Sequence, residues 1–139
     1  MITRRIWVTV LTLTALALLV AACSQASTPT PSQSADGYTN ITVEQLAGMF
    51  ENKDFTLINA HIPYEGEIPQ TDLFIPFDEI TNHLDELPAK DATIVLYCRS
   101  GSMSTSAAET LVSLGYTNVM EVDGGMRAWE AAGYELLRR

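Results

Sequence analysis

Cys98 offers the most chemistry in this chain, because of what surrounds it. The run Cys98-Arg99-Ser100-Gly101-Ser102-Met103-Ser104 follows the uncharged, β-branched stretch Thr93-Ile94-Val95-Leu96-Tyr97 and precedes a helical apolar period. In an open parallel sheet, ligands bind beyond the carboxyl ends of the strands. A Gly/Ser-rich turn into a helix N-terminus exposes backbone N–H groups, and these favour an anion. A thiol held there beside Arg99 is expected to ionise below the free value of about 8.5, which makes it a nucleophile. The plain alternative is a core cysteine at a strand end. Against it stands the loop itself, small or cationic at every position except Met103.

Other candidates are weaker. His61 lies just past a short apolar strand over 55–58, on the same sheet edge as Cys98. It could hold a thiolate or move a proton; the simpler reading is a loop histidine bonded to Glu65. His83 falls on the wet side of an expected helix over 78–87 and has no evident role. Glu65, Glu67 and Asp72 read as solvated acids, because their spacing does not suit calcium. Trp129 and Tyr134 read as packing residues, and Arg138-Arg139 as a frayed end. With two Cys and two His in all, neither a four-ligand zinc cluster nor a disulfide-dense scaffold is available.

The elements that must position Cys98 alternate. A short strand over 38–41 leads to Thr42-Val43-Glu44-Gln45, a capping box in which the Thr hydroxyl and the Gln side chain satisfy orphan N–H groups. Val43, Leu46, Ala47 and Phe50 then share one helical face. Residues 60–72 read as a loop, 73–75 as a short strand stopped by Pro76, and 78–87 as a helix ended by Pro88. The run over 93–97 reads as a strand buried on both faces. A helix follows over 104–114, with Gly115 suited to its C′ position. A strand over 118–122 and a short helix over 125–132 close the chain. Strands alternating with helices predict an α/β domain with a mainly parallel sheet.

Two of these segments carry a resemblance. Tyr97-Cys98-Arg99-Ser100-Gly101-Ser102-Met103-Ser104 resembles the active-site loop of rhodanese-like domains. Val122-Asp123-Gly124-Gly125-Met126-Arg127-Ala128-Trp129 resembles that family's closing Gly-Gly helix with its packing Trp. The opening helix and the strand over 55–58 match as well, so the likeness covers residues 38–137. It implies a single rhodanese-like domain: a five-stranded mainly parallel sheet with helices on both faces. It implies sulfur transfer through a persulfide on Cys98, with the loop Arg99, Ser100, Gly101, Ser102, Met103 and Ser104 cradling the outer sulfur. The partners are then a sulfane sulfur donor and a thiol or cyanide acceptor, and no metal or organic cofactor is implied.

The chain departs from that pattern at three places. Met103 stands where the family commonly has Arg, which puts thiosulfate as donor in doubt. Asn59-Ala60-His61 replaces the family's Asp-x-Arg. Gly66-Glu67-Ile68-Pro69-Gln70 replaces its Gly-His-Ile-Pro-Gly. Cysteine phosphatases share the general loop design but hold phosphate with an Arg at the sixth position after the Cys. That position is Ser104, which argues against a phosphatase. A non-enzymatic rhodanese-like module binding a partner or small anion at the same loop is the alternative function.

The N-terminus has a separate logic. Arg4-Arg5, a charge-free run over 6–20 and then Val20-Ala21-Ala22-Cys23 form a secretory layout. The Cys after small residues resembles the lipobox of bacterial lipoproteins, in which the chain is cut before the Cys and the thiol is acylated. A plain transmembrane anchor over 6–22 or ordinary secretion are the alternatives. Residues 1–22 are thus expected to be a signal peptide, 23–37 a Ser/Thr/Pro/Gln tether, and 38–139 the domain. The expected place is extracytoplasmic, anchored in the membrane by lipid at Cys23. Ser24 to Asp36 has no large apolar residue to bury; such a coil reaches roughly 20 Å. The formal charge of −9 argues against nucleic acid as a partner, since that interaction relies on basic patches.

Overall fold

The computed structural model describes residues 30–139. The signal-like segment 1–22, Cys23 and residues 24–29 of the expected tether lie outside the described residues. The strands are β1 (Ser32–Gln33), β2 (Thr39–Ile41), β3 (Thr56–Asn59), β4 (Leu73–Phe74), β5 (Ile94–Tyr97) and β6 (Val119–Val122). They form one sheet in the order β1-β2-β6-β5-β3-β4. Every pairing is parallel except β1 with β2. The helices are α1 (Val43–Met49), α2 (Ser102–Ser113) and α3 (Gly125–Ala131).

β5 is central, between β3 and β6, and its four residues are fully buried. Successive side chains point to opposite faces. Ile94 and Leu96 therefore pack with Ala107, Ala108 and Leu111 of α2. Val95 and Tyr97 pack with Leu46 of α1 and Met126 and Trp129 of α3. The expected two-sided α/β layering is present. The capping box is present too: Thr42 Oγ1 accepts the Gln45 N–H at 3.3 Å, and Gln45 Oε1 accepts the Thr42 N–H at 2.7 Å.

The sheet has six strands where the family resemblance implies five. The extra strand, β1, comes from a segment assigned to the tether. It has no apolar side chain to bury, and both its residues are exposed. Backbone pairing alone adds it, Ser32 opposite Asn40 and Gln33 opposite Thr39. Gly37 at φ +89° lets the chain turn back, and Ser34 Oγ donates to Tyr38 O at 3.0 Å.

The helix predicted over 78–87 is a single 3-10 turn, Ile80–Asn82, flanked by other turns. Ile80 is buried but Leu84 is exposed, so the apolar stripe has no continuous surface to cover. Asp, Asn and Thr residues there also favour turns over helix. The C-terminus is not frayed. Glu67 and Leu137 exchange both backbone hydrogen bonds at 2.8 Å. Arg138 meets Glu130 at 2.6 Å, and Arg139 meets Glu67 at 2.5 Å.

Candidate active site

Cys98 is the first residue beyond β5, at the carboxyl edge of the sheet. The turn after it is tighter than the sequence predicts. Gly101 takes φ +106°, a conformation open to glycine, and α2 starts at Ser102, two residues earlier than expected. Ser102, Met103 and Ser104 thus lie in the first helical turn, not in a loop. Ser102 is exposed, Met103 half-buried and Ser104 buried.

This geometry aims donors at sulfur. The Gly101 N–H donates to Cys98 Sγ at 3.1 Å. Cys98 is only 1% exposed, less than its open-looking loop suggests. Burial pushes its thiol up, but the Ser104 hydroxyl and the N–H groups of Ser104, Ser100 and Gly101 together hold it below its ordinary value. Hydrogen bonds to the charged form outweigh desolvation here. Arg99, expected to assist by charge, instead turns to Glu65, with Nη1 3.1 Å from Oε1 and both side chains well exposed.

The backbone of the cysteine turn is clamped by α3. The Met126 N–H donates to Cys98 O at 2.9 Å and the Arg127 N–H to Arg99 O at 3.0 Å. Helix N-termini leave such N–H groups free. The approach is so close that a Cβ on Gly125 would overlap the Cys98 carbonyl. Gly125 also sits at φ +51° and Gly124 at φ +71°. Gly125 is therefore a steric requirement of the cysteine turn, and Gly124 of α3 itself, where a Cβ would overlap Ala128.

The second loop at this edge follows β3. Asn59, fully buried, accepts the His61 N–H at 3.0 Å through Oδ1 and donates through Nδ2 to Gly66 O at 3.0 Å. Deeper in, Tyr97 Oη accepts the Ile68 N–H at 3.0 Å and lies 2.7 Å from Thr71 Oγ1. His61 is buried, with Nε2 3.3 Å from Glu65 Oε2. That is ion-pair distance, but the groups are out of line for a hydrogen bond, and neither ring nitrogen makes one. His61 makes no hydrogen bond to Cys98; the Glu65 carboxylate stands at ion-pair distance from its ring. Glu65 thereby bridges His61 and Arg99. His83, exposed, pairs with Glu86 at 2.6 Å, and the hydrogen bond with Glu86 raises its pKa.

Sequence reasoning missed Glu121. It lies in β6, is 2% exposed, and its Oε1 sits 2.7 Å from Ser104 Oγ. A Cβ on Gly101 would come within 3.6 Å of the same oxygen. The carboxyl is thus directly beneath the cysteine turn. Burial raises its pKa to about 7, against the lowering effect of the Ser104 hydrogen bond, and Asp123 adds to the rise. The available signal was a charged residue inside a strand otherwise built for two-sided burial.

Comparison with known proteins agrees with this geometry. Residues 42–132 match the rhodanese-like domain family. A sulfurtransferase of Allochromatium vinosum is 34% identical over 90 residues, 63% of this chain and 82% of that protein. The thiosulfate sulfurtransferase GlpE of Pseudoalteromonas translucida is 30% identical over 105 residues, covering 73% of this chain and 98% of its own. Among solved structures, a rhodanese-like domain protein from Staphylococcus aureus superposes with TM-score 0.61 at 30% identity, over 72% of this chain and 97% of its own. With the cysteine turn, the Gly-Gly clamp and the two-sided sheet in place, the chain belongs to the rhodanese-like domain family.

Proposed function

We propose that this chain is a sulfurtransferase that carries sulfane sulfur on Cys98. The observation that carries the reading is the set of donors on one buried sulfur: the Ser104 hydroxyl and the N–H groups of Ser104, Ser100 and Gly101. The Cys98 thiolate attacks the sulfane sulfur of a donor. An S–S bond forms at Cys98, and the donor's leaving group departs with the electron pair of the bond that breaks. The persulfide anion lies about 2 Å further out, at the mouth of the turn. An acceptor thiolate or cyanide then attacks that outer sulfur and regenerates the Cys98 thiolate. Arg99, Ser100, Gly101, Ser102, Met103 and Ser104 form the cradle, by backbone more than by side chain. His61 is held by Glu65 and takes no proton in this scheme.

Mass spectrometry after exposure to a polysulfide donor tests the reading. A gain of one sulfur at Cys98, absent in Cys98→Ser, supports it; no gain at Cys98 sinks it. The alternative, a binding module, draws on the burial of Cys98 and on the missing cation at Met103. It predicts no sulfur gain. Within the leading reading, thiosulfate is a poor donor, because no fixed charge stands at position 103. Met103→Arg is expected to lower KM for thiosulfate and leave a persulfide donor unaffected. An unchanged KM would show that Met103 does not face the donor.

The same proposal places the domain outside the cytoplasm on a lipid anchor at Cys23, on the strength of Val20-Ala21-Ala22-Cys23 after a charge-free run. Two or more acyl chains suffice for stable anchoring, and an acidic domain would add no attraction to anionic lipid. Mass spectrometry of the mature N-terminus tests it. Acylated Cys23 is the expected result, with release of the protein by Cys23→Ser; any other mature N-terminus overturns it.

A further inference from the structure

Ser104 Oγ stands between three partners. It lies 3.0 Å from Gly101 O, whose own N–H donates to Cys98 Sγ, and 2.7 Å from Glu121 Oε1, and its hydroxyl lowers the pKa of the Cys98 thiol. A hydroxyl has one proton to give and can accept from others. If Glu121 is ionised, it draws that proton away from sulfur. If Glu121 is protonated, its O–H can donate to Ser104 Oγ, and the Ser104 proton is free to point at the thiolate.

We propose that Glu121 is a positioning residue that holds the proton given up by Cys98, with Ser104 as the relay. The inference rests on the persulfide reading of Cys98. In the relay step the Cys98 S–H proton passes to Ser104 Oγ while the Ser104 proton passes to Glu121 Oε1. Ser104 stays neutral, Glu121 becomes neutral, and sulfur becomes the thiolate. One negative charge moves within the site, and none is added to it. The proton then stays on Glu121 while sulfur is loaded and unloaded, so the Ser104 hydroxyl faces a sulfur anion in both half-reactions.

The surroundings fit such a store. β5 and β2 present Leu96 and Asn40 opposite Glu121 in register, and α2 presents Ser104. The charge acting on it is Asp123, on its own strand's exit. No cation pairs with Glu121 among the described residues; Arg99, the cation of the cysteine turn, is on Glu65. A buried carboxyl with an acidic neighbour and no cation keeps its proton near neutral pH.

The test is the pH profile of Cys98 alkylation by iodoacetamide in wild type, Glu121→Gln and Ser104→Ala. Wild type should ionise in two coupled steps, because the thiolate becomes harder to form once Glu121 is charged. Glu121→Gln keeps a neutral partner on Ser104 and should give one step, with its midpoint lower by about one pH unit: alkylation up to about tenfold faster where wild-type Glu121 is charged, and equal to wild type on the acidic limb, where both partners are neutral. In a Ser104→Ala background the same Gln substitution should shift the midpoint much less. An unchanged midpoint in a folded Glu121→Gln protein overturns the proposal, as does an equal shift with and without Ser104. If Glu121→Gln fails to fold, carbon NMR of the Glu121 carboxyl decides. Linkage is reciprocal, so its titration must move to lower pH in Cys98→Ser, and a titration that stays in place overturns the relay. Alkylation reads the thiol whether or not sulfur is transferred. A failed shift therefore leaves the sulfurtransferase reading intact, whereas a missing persulfide removes that reading and leaves the titration standing.

Discussion

Two loops meet at the carboxyl edge of the sheet, after the neighbouring parallel strands β5 and β3, and they are held by different means. The cysteine turn is fixed through its backbone: Met126 and Arg127 donate to the carbonyls of Cys98 and Arg99, and Gly101 donates to sulfur. The loop after β3 is fixed through side chains: Asn59 bridges His61 N–H and Gly66 O, and Glu65 reaches both His61 and Arg99. A turn held by peptide groups tolerates change at its exposed side chains, because those side chains do not hold the turn itself. A loop held by side chains changes shape when they change. The two loops are thereby open to different kinds of change. This also fits where the family pattern is kept and where it is lost, since two of the three departures lie in the second loop.

Gly125→Ala is the strongest way to break the comparison. The added Cβ meets the Cys98 carbonyl, and φ +51° adds left-handed strain. Neither atom can move without releasing the cysteine turn. The expected loss is about 3 kcal/mol or more, read by urea unfolding, with slowed alkylation of Cys98. Near-native stability would mean that the clamp is not needed.

Glu121→Gln sharpens the comparison with pH as the variable. The folded chain keeps the Glu121 proton up to about pH 7, whereas the unfolded chain releases it near the ordinary value of about 4.3. Between those values the folded state binds more protons. Stability therefore falls as pH rises through this window and is level beyond it. The variant should match wild type near pH 4 and exceed it by about 1–3 kcal/mol at pH 8. A constant difference across pH would remove Glu121 as the titrating group.

Asn59→Ala tests the side-chain-held loop. It strips two hydrogen bonds from groups of buried residues, His61 N–H and Gly66 O. A cost of about 1–2 kcal/mol is expected, with the alkylation rate of Cys98 unchanged. A change in that rate as large as the one from Gly125→Ala would show that the two loops are one unit.

The same distinction explains what could be read from the sequence. The capping box at Thr42 was legible because its partners are three residues apart. β5 was legible because burial on both faces leaves an uncharged run. The cysteine turn and the Gly-Gly helix were legible because backbone geometry restricts which residues can stand there. Glu121 was not, because its meaning depends on parallel register: only the pairing of Leu96 with Glu121 brings it beneath Ser104, 17 residues away in the chain. The strand β1 was hidden because backbone pairing leaves no apolar signature. The segment 78–87 mimics a helix in sequence because Ile80, Leu84 and Leu87 have helical spacing, yet Leu84 faces solvent.

Arg99→Ala should have the smallest effect, and it asks whether charge or hydrogen bonding activates the thiol. The sequence places a cation next to Cys98, and Coulomb attraction would favour the thiolate. In the structure the guanidinium sits on Glu65 at 3.1 Å, with relative side-chain exposures of 46% for Arg99 and 38% for Glu65. Its charge is largely neutralised by that partner and screened by water. The groups that favour the thiolate are Ser104, Ser100 and Gly101, and alanine at position 99 leaves all of them in place. The Cys98 inflection should therefore rise by less than about half a pH unit. High salt should remove most of that rise. A rise of a full unit or more that persists in high salt would make Arg99 a direct partner of the sulfur and would move activation from backbone to side chain. If the rise is small, loss of Arg99 should show elsewhere. Glu65 would be released from one of its two partners, and the second loop, whose shape depends on such contacts, should respond through altered KM for the acceptor with the thiol unchanged.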